Sequence, residues 1–206
     1  MRVLEIFHSL QGEGVWAGTP MTFVRFAGCN APLVGLDCVD WCDTSSSWDP
    51  EAGEDLSVAD VLGRVGEGGL LRACLTGGEP LLQGEEFAEL VLLLQLEGRV
   101  VHVETNGTLA MPGVVLPDWV TVSPKPPEYG VAEGLHGAVD ELKFVVDADF
   151  RVGVAETLAA AHPTAAVCLQ PEHSGFETNV GAAIEAVMTH PTWRLSLQIH
   201  RLLGLR

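Results

Sequence analysis

The sequence of 206 residues is poor in basic side chains, with 11 Lys and Arg against 28 Asp and Glu and a formal net charge of −17 at pH 7. Proteins that bind nucleic acid present clustered Lys and Arg to phosphates, so we expect no nucleic-acid partner. No apolar run approaches the roughly 20 residues of a membrane-spanning helix. The start, MRVLEIFHSLQGEG, lacks the long apolar stretch of a signal peptide. We therefore predict a cytoplasmic protein without a membrane partner.

Cysteine is also scarce. The chain has five, an odd number, which argues against a complete disulfide framework. Cys74 and Cys168 lie in strand-like apolar runs, where we expect buried small hydrophobic side chains. Cys29, Cys38 and Cys42 lie on a polar loop that contains Pro and Gly, where packing gives no reason for cysteine. This loop is the first candidate for a functional site.

The sequence does contain a regular alternation of strand-like and helix-like segments. Apolar, β-branched runs predict strands at 21–28, 73–78, 99–107, 119–127, 140–146, 165–172 and 193–200. Helical periodicity predicts helices at 57–65, 85–98, 151–161 and 179–188. The alternation predicts an α/β fold with a largely parallel sheet, in a single domain over residues 1–206. Because a complete eight-fold barrel takes about 250 residues, we expect a partial barrel.

Polar or glycine-rich clusters follow five of the predicted strands, at residues 28–29, 76–79, 104–106, 123–125 and 170–172. In α/β barrels and open parallel sheets, the carboxyl ends of the strands line the active site. We therefore expect these five clusters to meet at one pocket.

The cysteine loop is compatible with more than one kind of metal site. A structural zinc site takes four ligands, usually as two closely spaced pairs, and this loop would need a distant fourth ligand such as His102 or His200. An iron–sulfur cluster also normally takes four thiolates. With three, one iron stays open to a small molecule that carries an amine and a carboxylate. The spacing alone leaves zinc, a cluster and no metal as alternatives.

Three motifs together resemble the radical S-adenosylmethionine (SAM) superfamily: the cysteine loop after a strand, TGGEP at 76–80 and VETNGT at 103–108. In that superfamily three cysteines hold a 4Fe-4S cluster, and SAM binds the unique iron through its amino and carboxylate groups. The resemblance implies the radical SAM type of partial (βα) barrel.

A narrower resemblance covers nearly the whole chain. LEIFHSLQGEGVWAGTPMTFVRFAGCN, WCDT, TGGEP, ETNGT, SPKPP, LQP and RLSLQIHRLLGLR follow one another as in the 7-carboxy-7-deazaguanine synthase family of queuosine and 7-deazapurine biosynthesis. This resemblance implies a lyase that converts 6-carboxy-5,6,7,8-tetrahydropterin to 7-carboxy-7-deazaguanine by radical ring contraction, with loss of ammonia. It also implies a 4Fe-4S cluster, SAM and Mg²⁺ as cofactors, an electron donor such as flavodoxin or ferredoxin, and a homodimer.

By this resemblance, Cys29, Cys38 and Cys42 ligate the cluster. Their spacing is C-x8-C-x3-C, whereas the superfamily commonly has C-x3-C-x2-C. The first gap can grow at little cost, since loop closure costs about 0.6 kcal/mol for each doubling of length. The added residue in the second gap changes how the thiolates converge. Cys38 is nevertheless the only candidate for the middle ligand.

The resemblance assigns substrate contacts to Leu10, Gln11, Gly12, Arg25, Thr76 and the terminal carboxylate of Arg206. The alternative for the SLQGEG segment is a glycine turn before the first strand. Arg25 stands in an apolar strand and needs an anionic partner, for which a substrate carboxylate is suited. A structural salt bridge to an acidic residue is the alternative for Arg25.

The SAM contacts implied by the resemblance are Trp41, Cys42, Asp43, Gly78, Glu79, Glu104, Ser123, Pro124, Lys125, Gln170, Pro171, Glu172 and His173. Gly78 has no side chain, so it lets the backbone approach the ligand closely. Glu79 could accept hydrogen bonds from the SAM ammonium. His173 could equally be a solvated loop residue. Thr44 is implied to bind Mg²⁺ through its hydroxyl, with a turn residue as the alternative.

Two other functions stay open at this point. A glycyl-radical-enzyme activating protein shares the cluster and GGEP but acts on a protein, and it would not need SLQGEG, Arg25 or CDT. A non-catalytic binding module stabilised by zinc would use the cysteines only for structure.

Overall fold

A computed structural model describes residues 1–205, and within them nine strands form one sheet in the order β3-β1-β2-β4-β5-β6-β7-β8-β9. The strands are β1 (Arg2–Leu10), β2 (Pro20–Phe26), β3 (Glu54–Asp55), β4 (Arg72–Gly77), β5 (Val100–Thr105), β6 (Trp119–Val122), β7 (Glu141–Val146), β8 (Ala166–Pro171) and β9 (Arg194–Leu195). The helices are α1 (Ala31–Val34), α2 (Val58–Glu67), α3 (Glu85–Leu96), α4 (Val152–Ala161), α5 (Phe176–Thr189) and α6 (Ile199–Leu203).

The sheet is antiparallel at one edge and parallel elsewhere. β1 pairs antiparallel with β2 and β3, and every pair from β2 to β9 is parallel. The predicted α/β class with a largely parallel sheet is confirmed. None of the helices in residues 1–205 combines the length and the apolar character that crossing a membrane requires.

Strand β1 was not predicted. It pairs with β2 over most of its length, with Val3 opposite Phe26 at one end and Leu10 opposite Pro20 at the other. Most of its side chains are only partly buried on both faces, so its sequence lacks a sharp alternation of apolar and polar residues. The SLQGEG segment consequently joins two strands instead of preceding the first one.

The strand predicted at 193–200 is wrong beyond Leu195. The backbone N–H of Ser196 still donates to Leu169, but that of Ile199 donates to the Gly12 carbonyl. The chain therefore leaves the sheet after β9 and folds as α6 against the loop between β1 and β2. Contacts with this distant loop override the apolar alternation of WRLSLQIH.

The two faces of the sheet differ sharply in polarity because side chains alternate along a strand. One face packs against the helices and is built from Leu75, Val101, Val103, Val120, Val122, Leu142, Phe144 and Leu169, all buried. The positions between them form the concave face, with Thr76, His102, Glu104, Trp119, Ser123, Glu141, Lys143 and Gln170. The concave interior of the sheet is therefore polar.

The loop between β1 and β2 fills this interior from the end opposite the pocket. The Trp16 ring meets the ring of His102 at 5.2 Å and that of Trp119 at 5.4 Å between centroids. The Arg72 guanidinium lies 4.8 Å from the Trp16 centroid on its other side. The loop is thereby fixed to three strands, which orients its preceding residues toward the pocket.

Candidate active site

A pocket opens at the carboxyl ends of the parallel strands, and most residues predicted from the sequence line it. They are Leu10, Gln11, Gly12, Arg25, Cys29, Cys38, Trp41, Cys42, Asp43, Thr44, Thr76, Gly78, Glu104, Ser123, Lys125, Gln170, Pro171, Glu172 and His173. The five polar clusters after the strands thus meet at one place. Pro124 does not line the pocket, although its neighbours do. Arg206 lies outside the described residues.

Within the cysteine loop, the uneven spacing has a structural explanation. Cys29 follows β2, helix α1 occupies part of the long gap and ends at Gly35 in the left-handed conformation, and Cys38 lies in a short 3-10 helix. Cys42 comes two residues after the end of that 3-10 helix, with Trp41 between them. The longer first gap is therefore folded, and all three cysteines line the pocket.

Hydrogen bonds tie the cysteine loop to the end of β5. The Asn30 amide donates to Thr108 Oγ1 at 2.8 Å, and the Asn106 amide donates to Asn30 Oδ1 at 2.9 Å. Asn106 Oδ1 in turn accepts from the backbone N–H of Thr108 at 2.9 Å. The ETNGT motif thus positions the residue next to Cys29.

The TGG motif packs directly on the strand end that carries Cys29. A Cβ at Gly78 would lie 2.2 Å from the Gly28 carbonyl oxygen, and one at Gly77 would lie 2.3 Å from that of Phe26. Both distances are far below van der Waals contact, so only glycine fits at these two positions. The glycines bring the ends of β2 and β4 together at the pocket rim.

The geometry of the three cysteines suits a cluster better than a single metal ion. Among residues 1–205, no three His, Cys, Asp or Glu side chains are arranged to hold one metal ion. A cluster of four irons is bound at separate corners, so its thiolates need to line a common wall and do not need to converge on a point. Burial raises the pKa of Cys29 and raises that of Cys38 to about 11, so bound iron would have to displace their protons. The donor set therefore fits a cluster with three protein ligands.

Lys125 is the cation nearest to this wall. Its ammonium donates to Ser123 Oγ at 2.6 Å and lies 5.5 Å from the centroid of the Trp41 ring. Burial lowers the pKa of Lys125, while the neighbouring Cys38 acts in the opposite direction. The SPK motif thus presents a buried amine and a hydroxyl beside the cysteines.

Glu79 has a different role from the predicted one. Its carboxylate is fully buried and accepts hydrogen bonds from Thr105 Oγ1 at 2.8 Å, from the backbone N–H of Asn106 at 2.8 Å and from that of Leu81 at 3.1 Å. It does not line the pocket. Glu79 joins the ends of β4 and β5, so we no longer expect its carboxylate to contact SAM.

We predict that Glu79→Gln destabilises the protein in the absence of any ligand. The amide nitrogen would face an N–H donor, which costs roughly 1–3 kcal/mol in the free energy of unfolding. Urea denaturation measures this cost, and Glu89→Gln on the exposed face of α3 should stay within about 0.5 kcal/mol of the parent. If Glu79→Gln leaves the stability unchanged, the structural role is wrong and Glu79 is again a candidate for binding the ligand.

The pocket floor is a network of largely buried polar and charged groups, of which the sequence reasoning found Gln11, Thr76 and Glu104 but missed Lys143 and Glu13. Lys143 Nζ pairs with Glu13 Oε2 and lies 3.7 Å from Glu104 Oε1. Glu104 Oε1 accepts from the Gln11 amide at 2.9 Å, and Thr76 Oγ1 donates to Glu104 Oε2 at 3.4 Å. The sequence did contain a signal for Lys143, which is the one cation in the apolar strand ELKFVV. As for Arg25, a cation in such a strand needs an anionic partner.

Arg25 forms the structural ion pair that was the alternative for it, and it also lines the pocket. Its Nε donates to Glu5 Oε1 at 2.8 Å across the β1–β2 pair, and the guanidinium carbon lies 5.8 Å from the centroid of Phe7. Arg25 also lines the pocket together with Phe7 and Phe23, whose rings stack at 5.1 Å. The structural ion pair is therefore present, and it leaves the side chain at the pocket wall.

Helix α6 closes one side of the pocket. Asp43 Oδ2 accepts from the Gln198 amide and from Arg201 Nη2, each at 2.9 Å. A Cβ on Gly12 would lie 1.9 Å from His200 Nδ1, so this glycine allows the imidazole to pack against the SLQGEG loop. These contacts join the end of the chain to the residue after Cys42.

At the wall of the pocket beside the end of β8, hydrogen bonds join the loop after β9 to the loop between β1 and β2. Ser196 Oγ donates to Gln170 Oε1 at 3.0 Å and accepts from the backbone N–H of Gly14 at 2.8 Å. Glu172 accepts from the backbone and the hydroxyl of Ser174, at 2.7 and 2.8 Å, in the turn that precedes α5. Burial raises the pKa of Glu172, but these hydrogen bonds outweigh it and leave the pKa lowered. The Glu172 carboxylate thus stabilises the turn before α5 that forms this part of the wall.

Comparisons with known proteins give a consistent result. A scan against models of protein families finds no match. The 7-carboxy-7-deazaguanine synthase of Bacteroides thetaiotaomicron is 38% identical over 205 residues, covering 100% of this chain and 98% of the relative. That of Methanospirillum hungatei is 35% identical over 215 residues, covering 100% and 86%. The crystal structure of QueE from Escherichia coli matches with a TM-score of 0.78 and 28% identity, over 95% of this chain and 92% of that chain.

Proposed function

Since this chain belongs to the 7-carboxy-7-deazaguanine synthase family and is a radical SAM enzyme, we propose that its pocket converts 6-carboxy-5,6,7,8-tetrahydropterin to 7-carboxy-7-deazaguanine with loss of ammonia. One observation carries the proposal. The three cysteines and the charged floor around Lys143 line the same pocket. A cofactor wall thus faces a polar surface that can hold a small, highly polar ring.

As in other radical SAM enzymes, the cofactors are a 4Fe-4S cluster and SAM. Cys29, Cys38 and Cys42 would hold the cluster. When bound, the pair supplies the electron and the 5′-deoxyadenosyl radical that removes a hydrogen atom from the substrate. The SAM contacts proposed in the same pocket are Trp41, Asp43, Gly78, Ser123, Lys125, Gln170, Pro171, Glu172 and His173. Each of these residues lines the pocket, which supports the proposal. Pro124 and Glu79 were also expected to contact SAM, but they do not line the pocket. Glu104, which was also expected to contact SAM, is instead proposed as a substrate contact, because Gln11 and Lys143 of the pocket floor contact its carboxylate.

The substrate is an anion with several N–H donors, and the pocket offers complementary groups. We propose that Arg25 binds the substrate carboxylate, since a guanidinium can bind both oxygens at once. Glu13 and Glu104 are acceptors suited to the amino group and ring N–H groups of the pterin. Leu10, Gln11, Gly12 and Thr76 lie beside them. Arg25 supplies a local cation for the substrate carboxylate in a protein whose overall charge of −17 would otherwise repel an anion.

The Mg²⁺ site is proposed at Thr44. Its Oγ1 lies 3.6 Å from Cys42 Sγ, beside the cysteine wall. Mg²⁺ keeps most of its water ligands and needs few protein groups, so one hydroxyl together with substrate oxygens is sufficient. The neighbouring Asp43 carboxylate is already bound by Gln198 and Arg201 and is not needed as a ligand.

Three further features of the proposal concern the environment of the enzyme. A cytoplasmic location fits the five free thiols of the described structure, since free thiols persist in reducing compartments. An electron donor such as flavodoxin or ferredoxin would reduce the cluster. A homodimer is proposed as the assembly. The donor and the dimer come from the family resemblance.

A single anaerobic assay tests the function. The protein is reconstituted with iron and sulfide and incubated with SAM, reductant, Mg²⁺ and 6-carboxytetrahydropterin, and the products are identified by mass spectrometry. We expect a brown protein that forms 7-carboxy-7-deazaguanine and ammonia, with a lower rate when Mg²⁺ is omitted. A colourless protein that retains zinc would instead indicate a binding module. Cleavage of SAM without turnover of the carboxypterin would indicate another radical SAM reaction, such as activation of a glycyl-radical enzyme.

A further inference from the structure

Lys143 occupies the centre of the pocket floor. Its side chain extends from β7 and is only 7% exposed. The ammonium pairs with Glu13 from the β1–β2 loop and lies 3.7 Å from Glu104 at the end of β5. Each carboxylate has a second, neutral donor, with the Gln198 amide on Glu13 at 2.8 Å and the Gln11 amide on Glu104 at 2.9 Å. One buried cation thus separates two carboxylates that both face the pocket.

The surrounding charges do not replace this cation. The other titratable groups facing the pair are Arg25, Cys74, Lys125, Glu141 and His200. Burial alone would raise the pKa of Glu13, but the charge and the hydrogen bond of Lys143, with Gln198, bring it to about 2. Desolvation would lower the pKa of Lys143, and the carboxylates of Glu104, Glu13 and Glu141 reverse this and raise it. The charged states of Glu13 and Lys143 therefore stabilise each other.

We infer that Lys143 is a positioning residue for substrate recognition: by contacting both carboxylates, it fixes Glu13 and Glu104 at the separation at which both accept N–H groups of the bound pterin. This inference rests on the proposed function, because it takes the carboxypterin as the ligand. Without the ammonium, the two partly buried carboxylates would repel each other, so they would move apart or Glu13 would take up a proton more readily, because the charge and the hydrogen bond of Lys143 lower the pKa of Glu13. A protonated carboxyl donates with one oxygen and loses acceptor capacity, so it recognises the ring less well.

The test compares Lys143→Met with Lys143→Arg in the reconstituted holoenzyme. Binding of 6-carboxytetrahydropterin is measured by equilibrium dialysis without reductant, from about pH 8 to about pH 6, and the Kd of each variant is divided by that of the wild type at each pH. We expect Lys143→Met to weaken binding about tenfold at the upper pH and about another tenfold at the lower, since protonation increases as pH falls. Lys143→Arg should keep a flat ratio within about threefold.

Steady-state kinetics add a second readout. We expect KM to rise more than kcat falls in Lys143→Met, because the lost contacts bind the substrate and do not take part in bond cleavage. Arg64→Met, on the exposed face of α2 and paired with Glu54, is the matched control and should change neither. If Lys143→Met does not fold, the double variant Lys143→Met/Glu13→Gln removes one charge of each sign and is measured in its place.

The outcomes separate the inference from the function. A Kd ratio for Lys143→Met, or for the double variant if the single does not fold, that stays near one at every pH overturns the role of Lys143 while wild-type turnover stands. A wild-type holoenzyme that neither binds nor converts the carboxypterin contradicts the proposed function, and the inference with it. A loss of SAM affinity equal to the loss of pterin affinity would indicate a general structural role and would also overturn it.

Discussion

Alanine in place of Cys29, Cys38 or Cys42 should abolish reductive SAM cleavage. Each substitution removes one of three thiolates on the pocket wall, so the cluster loses a ligand that nothing else in the described pocket replaces. Changes in the outer shell of a metal site already cost about 10- to 100-fold, and loss of a direct ligand should cost more. The measurements are iron content, visible absorption and 5′-deoxyadenosine formation under anaerobic conditions.

The same chain supplies matched controls. Cys74 and Cys168 are fully buried and do not line the pocket, so alanine there should lower stability by about 1 kcal/mol and leave the iron content unchanged. Cys38 is the critical case because of its unusual spacing. Full activity in Cys38→Ala would show that the middle ligand has been misassigned, even if the other two variants are inactive.

Arg25→Met should strongly weaken substrate binding. Loss of a charge-assisted contact to the substrate carboxylate in a largely buried site costs about 2–4 kcal/mol, or roughly 30- to 1000-fold in Kd. SAM cleavage in the absence of substrate should change little, because Arg25 is not a proposed cluster ligand and its guanidinium contacts Glu5 and Phe7 of β1. The Kd for 6-carboxytetrahydropterin and the rate of uncoupled SAM cleavage are the two measurements.

Glu5→Gln separates the two roles of Arg25. It removes the charge opposite the guanidinium at 2.8 Å and leaves Arg25 in place. If Arg25 binds the substrate, Glu5→Gln should change Kd by only a few fold, because the amide oxygen can still accept from Arg25 Nε and the guanidinium stays at the pocket wall. Equal losses in the two variants would show that Arg25 serves only the β1–β2 pair.

Electrostatics explains how an acidic protein can hold an anionic substrate. The net charge is −17, but the pocket collects Arg25, Lys125 and Lys143 within one cavity. Most of the acidic excess is solvated, where charges farther apart than about 10 Å are screened. The pocket also contains the carboxylates of Glu13, Asp43, Glu104 and Glu172, so a substrate anion has to be bound by direct contact with a cation such as Arg25 and not by the overall field.

Much of the fold and the location of the site could be predicted from sequence. The helix α2 and strands β4 to β8 follow from local periodicity, since a strand or helix must bury a particular face. The clusters at strand ends predict a shared pocket because parallel strands end at the same edge of the sheet. Cys29 and Thr76 were expected at the pocket in this way, and both line it.

What the sequence by itself determined is therefore local: which segments form strands and helices, and which polar residues follow them. Only the tertiary structure decided that Glu79 joins two strand ends, and that Lys143 meets Glu13 from 130 positions away. It also decided that α6 leaves the sheet to cover Gly12. The spacing of apolar residues along the sequence indicates which face of each strand or helix is buried. The pairing of charges depends on how the sheet curves around the β1–β2 loop, and many distant contacts set that curvature together.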